Sequence, residues 1–322
     1  MQRWLFVCLL ALSPAGRAQF ADWQTLMVQA AAFDRAGRYA EAVAGYRTAL
    51  HLVEQSSPGD AHLPGILNAL ASASSNLGDF SEAERQYRRA MSLAETTAGK
   101  ENAEYAVLLE NLANLYSEEG QQAKAETMLR EALGIDSRAL GPNDARTATV
   151  GNSLAQVLLA RRNYGEAETL LVADIPMLES QRPPCADCLL TALSNLGLLR
   201  FHQGRRQEAA DLYERSLAGF EAALGPAHPL LLRPLNNLAQ VYATLGREQD
   251  AESIFRRASA IAEARLGTNP DCPAVLLNFA AFLRKSGRRA EAKALEHRSQ
   301  TALQEYARNH GIGMTVDKSA FK

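Results

Sequence analysis

Residues 112–132 read LANLYSEEGQQAKAETMLREA, and this stretch decides the fold. A small residue, Ala113, is followed by Gly120 and then by Ala125, with Leu129 and Ala132 continuing one face. Apolar residues spaced for a helical face on either side of the glycine predict two helices joined by a turn. Glycine suits the turn, because a helix commonly ends in a left-handed residue that only Gly adopts without strain. The pattern then recurs along the chain. Its reference alanines are Ala42, Ala83, Ala125, Ala167, Ala209, Ala251 and Ala292, at spacings of 41, 42, 42, 42, 42 and 41 residues. A fixed period of this size predicts a stacked array that presents a long surface, which favours binding over catalysis.

All seven units can be written in one register. Five residues before each reference alanine stand Gly37, Gly78, Gly120, Arg162, Gly204, Gly246 and Gly287. Twelve residues before it stand Ala30, Ala71, Ala113, Ala155, Gly197, Ala239 and Ala280. One small position on each helix lets the paired backbones approach closely, and a larger side chain would overpack the crossing. Leu67, Leu109, Leu193, Leu235 and Leu276, with Leu70, Leu112, Leu196, Leu238 and Phe279 three residues on, fill the first helices. Tyr46, Tyr87, Leu129, Leu171, Tyr213 and Phe255 fill the second. The fold class that follows is all-α.

The pattern 112–132 resembles the tetratricopeptide repeat. The 42-residue period, Leu235-Asn236-Asn237-Leu238-Ala239 and Leu224-Gly225-Pro226-Ala227-His228-Pro229 resemble the long variant found in kinesin light chains. The resemblance spans roughly residues 23–308 and implies a right-handed α-solenoid of about seven helix-turn-helix repeats. The expected repeats are about 23–63, 64–105, 106–147, 148–189, 190–231, 232–272 and 273–309, the last including a capping helix. A flexible tail is expected at 310–322.

Two units depart from the pattern. In the fourth, Arg162 replaces the turn glycine, and Asn163 beside it is expected to take the left-handed conformation. Its second helix has Asp174 at a normally small position and then Pro176, which removes a helical hydrogen bond and predicts a kink. In the seventh, Glu296 replaces the large apolar residue and Ser299-Gln300 follow. A polar outer face is what a terminal helix needs when no neighbour covers it.

The resemblance also implies that the first helices line a concave groove. Carried over repeat by repeat, the groove positions are Asn68, Ser72, Asn111, Asn114, Asn152, Gln156, Asn195, Asn236, Asn237, Gln240 and Asn278. Arg233, Arg284 and Lys285 share that register and would make the C-terminal end the more basic, ready for an acidic side chain or a terminal carboxylate. Asparagine is a poor helix-interior residue, so its recurrence wants a reason. Two readings stand. The amides could bond the backbone of an extended peptide, or they could bond the neighbouring repeat and stabilise the stack.

Composition narrows the partner. The 322 residues carry 34 Lys+Arg against 36 Asp+Glu, a net charge of −2, with no long single-sign run. A general nucleic-acid binder would be basic, so none is expected. Arg3, the apolar run Trp4 to Leu12, Ser13-Pro14 and the small residues Gly16 and Ala18 describe a secretory signal peptide over residues 1–18, cleaved after Ala18. The expected location is periplasmic or secreted, or cytoplasmic if that segment is not a functional signal. No stable membrane insertion is expected after cleavage.

Chemistry finds little footing. Cys185 and Cys188 lie in a loop before a helix, and in an exported chain a local disulfide between them leads, with Cys272 left free. A Cys-x-x-Cys redox protein remains a remote alternative, since the βαβ context of such enzymes is missing. No second Cys pair supports zinc. The histidines form no His-Glu-x-x-His pair, and Gly151-Asn152-Ser153-Leu154-Ala155 sits inside a repeat helix where a nucleophile elbow cannot form. No metal, cofactor or catalytic residue is expected. The sequence therefore reads as a non-enzymatic scaffold holding a protein or peptide segment in its groove. The alternative is an assembly component of a cell-envelope complex that uses its convex surface or edges.

Overall fold

The computed structural model describes residues 22–56, 60–180, 186–266 and 271–310. The expected signal segment, the tail beyond His310 and Cys185 lie outside them. Among the described residues there are fourteen α-helices, one 3-10 turn and no strand. None of the described helices is long and apolar enough to cross a membrane.

The chain divides into two compact units, Met1–Thr97 and Ala98–Lys322. The first is built from α1 (Trp23–Arg35), α2 (Tyr39–Ser56), α3 (Leu63–Asn76) and α4 (Phe80–Ala98). Here α1 packs on α2, and α2 on α3. The α1/α2 crossing is tight, for a Cβ on Gly45 would lie 2.9 Å from the Ala30 Cβ.

The second unit contains α5 (Ala103–Glu118), α6 (Gln122–Ala139), α7 (Ala145–Ala160), α8 (Tyr164–Ser180) and α9 (Ala186–His202). It continues with α10 (Arg206–Leu224), the 3-10 turn Pro229–Leu231, α11 (Leu232–Thr244), α12 (Glu248–Glu263), α13 (Cys272–Lys285) and α14 (Arg289–His310). Each helix packs on the next, and each first helix also touches the first helix that follows, α5 on α7, α7 on α9, α9 on α11 and α11 on α13. That second set of contacts stacks hairpin on hairpin.

The small positions are what hold the hairpins together. All seven reference alanines are fully buried, as are Ala30, Ala71, Ala113, Ala155 and Ala239. The leucines at the first-helix sites are buried around them, and so are Tyr46, Tyr87, Leu129, Leu171, Tyr213 and Phe255. At the turns the six glycines adopt φ between 72° and 87°. In the fourth unit the left-handed residue is Arg162 itself, at φ 61°, and not Asn163. The register decides this: Arg162 N–H bonds Leu159 O at 3.0 Å and Asn163 N–H bonds Leu158 O at 2.8 Å, the closing pattern that the other turns make with glycine.

Helix α8 is one element from Tyr164 to Ser180 with Pro176 inside it. One further expectation changes. In α14, Ser299 belongs to the inner face: it is fully buried and donates to Pro273 O at 3.0 Å. Ser216 sits at the same offset in α10 and donates to Leu190 O at 2.8 Å. A serine is tolerated at this small position because a carbonyl of the partner helix accepts its proton.

In four of the seven units the acidic residue before the reference alanine pairs with an arginine at the turn. Glu41, Glu208 and Glu291 pair with Arg38, Arg205 and Arg288, and Asp250 pairs with Arg247. The hydrogen bonds from Arg38 and Arg288 hold the Glu41 and Glu291 carboxyls below the usual carboxylate range. These exposed pairs reinforce the favourable placement of an acid near a helix start.

Candidate functional site

The asparagines of the first helices bond one another across the stack. Asn195 Nδ2 on α9 donates to Asn152 Oδ1 on α7 at 2.8 Å, and Asn278 Nδ2 on α13 donates to Asn236 Oδ1 on α11 at 3.1 Å. Each donor lies two residues before the small position of its helix, and each acceptor three residues before it. Ser153 on α7 occupies the donor offset and donates to Glu110 Oε1 on α5 at 2.7 Å. Asn152 and Glu110 are buried, so unpaired they would carry a desolvation cost. Asn237 is engaged by Tyr213, whose hydroxyl burial pushes well above its ordinary range. Asn68, Ser72, Asn111 and Asn114 are half-buried on α3 and α5.

Four of the sequence-derived groove residues meet at one place. Gln156 from α7, Asn195 from α9, and Arg233 and Asn237 from α11 line a cleft of 460 Å³. Its apolar lining comes from Leu198, Phe220, Leu230 and Pro234. Leu230, ahead of α11, is 60% exposed, an unusual place to leave a leucine. A second cleft of 350 Å³ lies along α9, α11 and α13. Gln240, Asn278 and Lys285 line it together with Phe201, Phe255 and Phe282. Both clefts follow the row of first helices, with amides beside apolar side chains in each.

The charges of this row are partly neutralised. Arg233 Nε bonds both Asp271 oxygens, at 3.0 and 2.9 Å, and Arg284 pairs with Glu296 of α14. Arg233 keeps much of its surface, its side chain being 68% exposed. Lys285 makes no ion pair among the described residues. An incoming carboxylate would therefore compete with Asp271 at one cleft and meet an unpaired ammonium at the other.

One cluster escaped the sequence reading. Asp136, at the end of α6, is fully buried. Val53, Ala94, Leu178, Phe220, Ala262 and Leu303 occupy its offset in the other units. Arg146 Nε on α7 lies 3.3 Å from Asp136 Oδ2, and the same guanidinium bonds the buried Glu110 on α5. Burial pushes the Asp136 carboxyl up, with Arg146 opposing it. An aligned view of the repeats carries the signal, one acid among six apolar residues.

Cys188 is disulfide-bonded, and its Sγ lies 3.1 Å from Thr149 Oγ1. Cys272 is a free thiol whose burial pushes it up to about 11, away from nucleophilic use. Among the described residues no group of His, Cys, Asp and Glu could hold a metal ion.

The tetratricopeptide-repeat family model matches residues 63–138 and 188–264. No curated protein matches the chain. Among solved structures, BtubC (BKLC) from P. vanneervenii is 24% identical with a TM-score of 0.53, over 76% of this chain and 92% of that one. The quorum sensor NprR from B. thuringiensis, in its apo form, is 13% identical with a TM-score of 0.66, over 87% and 76%. A Rap protein complexed with Competence and Sporulation Factor is 14% identical with a TM-score of 0.55, over 89% and 99%. At these identities the likeness is one of fold.

Proposed function

We propose that this chain, which matches the tetratricopeptide-repeat family over residues 63–138 and 188–264, is a non-enzymatic scaffold whose first-helix row holds an extended segment of a protein partner. The observation that carries this reading is the convergence of Gln156, Asn237 and Arg233 on one cleft with apolar walls. An extended segment presents alternating N–H and C=O groups, and each amide side chain offers both a donor and an acceptor. Leu198, Phe220 and Leu230 would take an apolar side chain of that segment out of water. A Rap protein of the same fold has been solved with a factor bound, which supports a binding role for such arrays.

Asn152, Asn195, Asn236 and Asn278 are committed to the stack, so they would orient the row while the residues one turn away touch the partner. Gln156 is exposed, and it lies on that outer turn. The double variant Gln156→Ala/Arg233→Ala tests the reading with the partner isolated by affinity capture. Affinity should fall at least about tenfold, the cost of a buried partner group left unpaired, while the melting temperature holds. Unchanged affinity would overturn it.

The runner-up places the contact on the outer face. Its support is Val172 of α8, 50% exposed in a helix that carries no charge between Glu168 and Glu179 other than Asp174.

A further inference from the structure

Six of the seven hairpins carry a leucine four residues before the small position of the first helix: Leu26, Leu67, Leu109, Leu193, Leu235 and Leu276. On their second helices, seven residues after the reference alanine, they carry Ala49, Ala90, Ala132, Ser216, Ala258 and Ser299. The fourth hairpin has Gly151 and Asp174 at these offsets. The two changes compensate one another. A Cβ on Gly151 would lie 2.6 Å from Asp174 Oδ2, so the carboxyl fills room that a leucine fills elsewhere.

The fit is spatial and not polar. Asp174 Oδ2 is buried and takes no hydrogen bond. The charged groups of the surrounding elements are engaged with other partners. On α7, Arg146 belongs to Glu110 and Asp136. On α9, Arg200 bonds Glu168 and Gln203, and His202 stacks on Tyr164 at 5.4 Å. On α8 itself, Glu166 is held by Arg130 and Glu179 by Arg215. Burial alone therefore governs the titration of Asp174, and it pushes the carboxyl from 3.8 up to about 6. Two residues on, Pro176 has no N–H for the carbonyl of Val172, so α8 is weakest beside the acid.

We propose that the α7/α8 hairpin is a proton-operated joint in the array. With Asp174 neutral, its carboxyl rests in the hollow over Gly151; once ionised, it moves to solvent and the hairpin loosens. The direction follows from linkage. An acid whose folded value lies above its unfolded one contributes its full stability below the unfolded value, and that stability is lost as pH rises through the folded value. The window thus runs from pH 3.8 to about 6. The bridging carboxylates Glu41, Glu168, Glu252 and Glu291 have lowered values and act the other way, losing stability on acidification.

Hydrogen exchange on peptides from α7 and α8, corrected for intrinsic rates, separates the joint from those opposing groups. Between about pH 4.5 and pH 7 the wild-type hairpin should open more by roughly tenfold to a hundredfold relative to Asp174→Asn, allowing for solvent screening. The double variant Gly151→Leu/Asp174→Ala restores the pairing of the other six hairpins and should show a flat profile too. It carries the comparison if Asp174→Asn folds poorly. A pH dependence in either variant equal to that of the wild type overturns the joint.

Discussion

The joint between the third and fourth hairpins and the joint between the sixth and seventh share one register but are held by different forces. At the later joint, Phe255 stacks on Phe279 with centroids 5.4 Å apart, and Phe282 lies 5.4 Å from Phe255. Asn278 bonds Asn236 on the inner row, while Arg288 reaches Glu252 at 2.6 Å and Arg298 reaches Glu263 at 2.7 Å. At the earlier joint the aromatic positions hold Leu129 and Leu154, and the buried Asp136, where the sixth hairpin has Ala262, lies against Arg146 and Glu110. An aromatic stack contributes through the area it removes from water. A buried ion cluster contributes little net free energy, because desolvating the charges offsets their attraction, yet breaking it is expensive. The register of the stack is therefore compatible with either chemistry, and the two joints should fail differently.

Removing one charge at the earlier joint is the severest way to break the comparison. Arg146→Ala leaves Asp136 and Glu110 buried without a counter-charge, and denaturant unfolding should show a loss of about 3–5 kcal/mol. A loss below about 1 kcal/mol would mean that solvent reaches the cluster and that the two joints are alike. The inner row gives the smaller effect. Asn278→Ala deprives the half-buried Asn236 of its donor and should cost about 1 kcal/mol in the same measurement. A cost equal to that of Arg146→Ala would remove the distinction from the other side.

The register was legible from the chain because it depends on a local requirement. A small residue must stand where two helices cross, and glycine where the backbone turns left-handed, so Ala125 and Gly120 announce themselves without knowledge of any partner. Arg162 shows the limit of residue preference. Its position in the register overrode the better tolerance of Asn163 for that conformation. Long-range pairing was harder to read. The bond from Asn195 to Asn152 joins residues 43 apart, and Arg233 finds Asp271 38 residues away. Amide recurrence alone fits ligand binding and stack bonding equally well, and only the interhelix geometry shows the stack bonds. The cleft was legible in part: Gln156, Asn195, Asn237 and Arg233 follow from the register, whereas Phe220 and Leu230 reach it from a second helix and a 3-10 turn. Asp136 was missed because an acid near a helix end reads as solvated until it is compared with the same offset in its sister repeats.

The proposal that the first-helix row is the working surface is tested most directly by mapping the face that a partner touches. A photo-crosslinking amino acid at position 156 reports on the row, and one at position 172 on the outer face of α8. With the captured partner present, position 156 should form the adduct and position 172 should not, with the crosslinked peptide identifying one extended segment of the partner. Adducts from position 172 alone would contradict the account and assign the array to assembly through its outer surface.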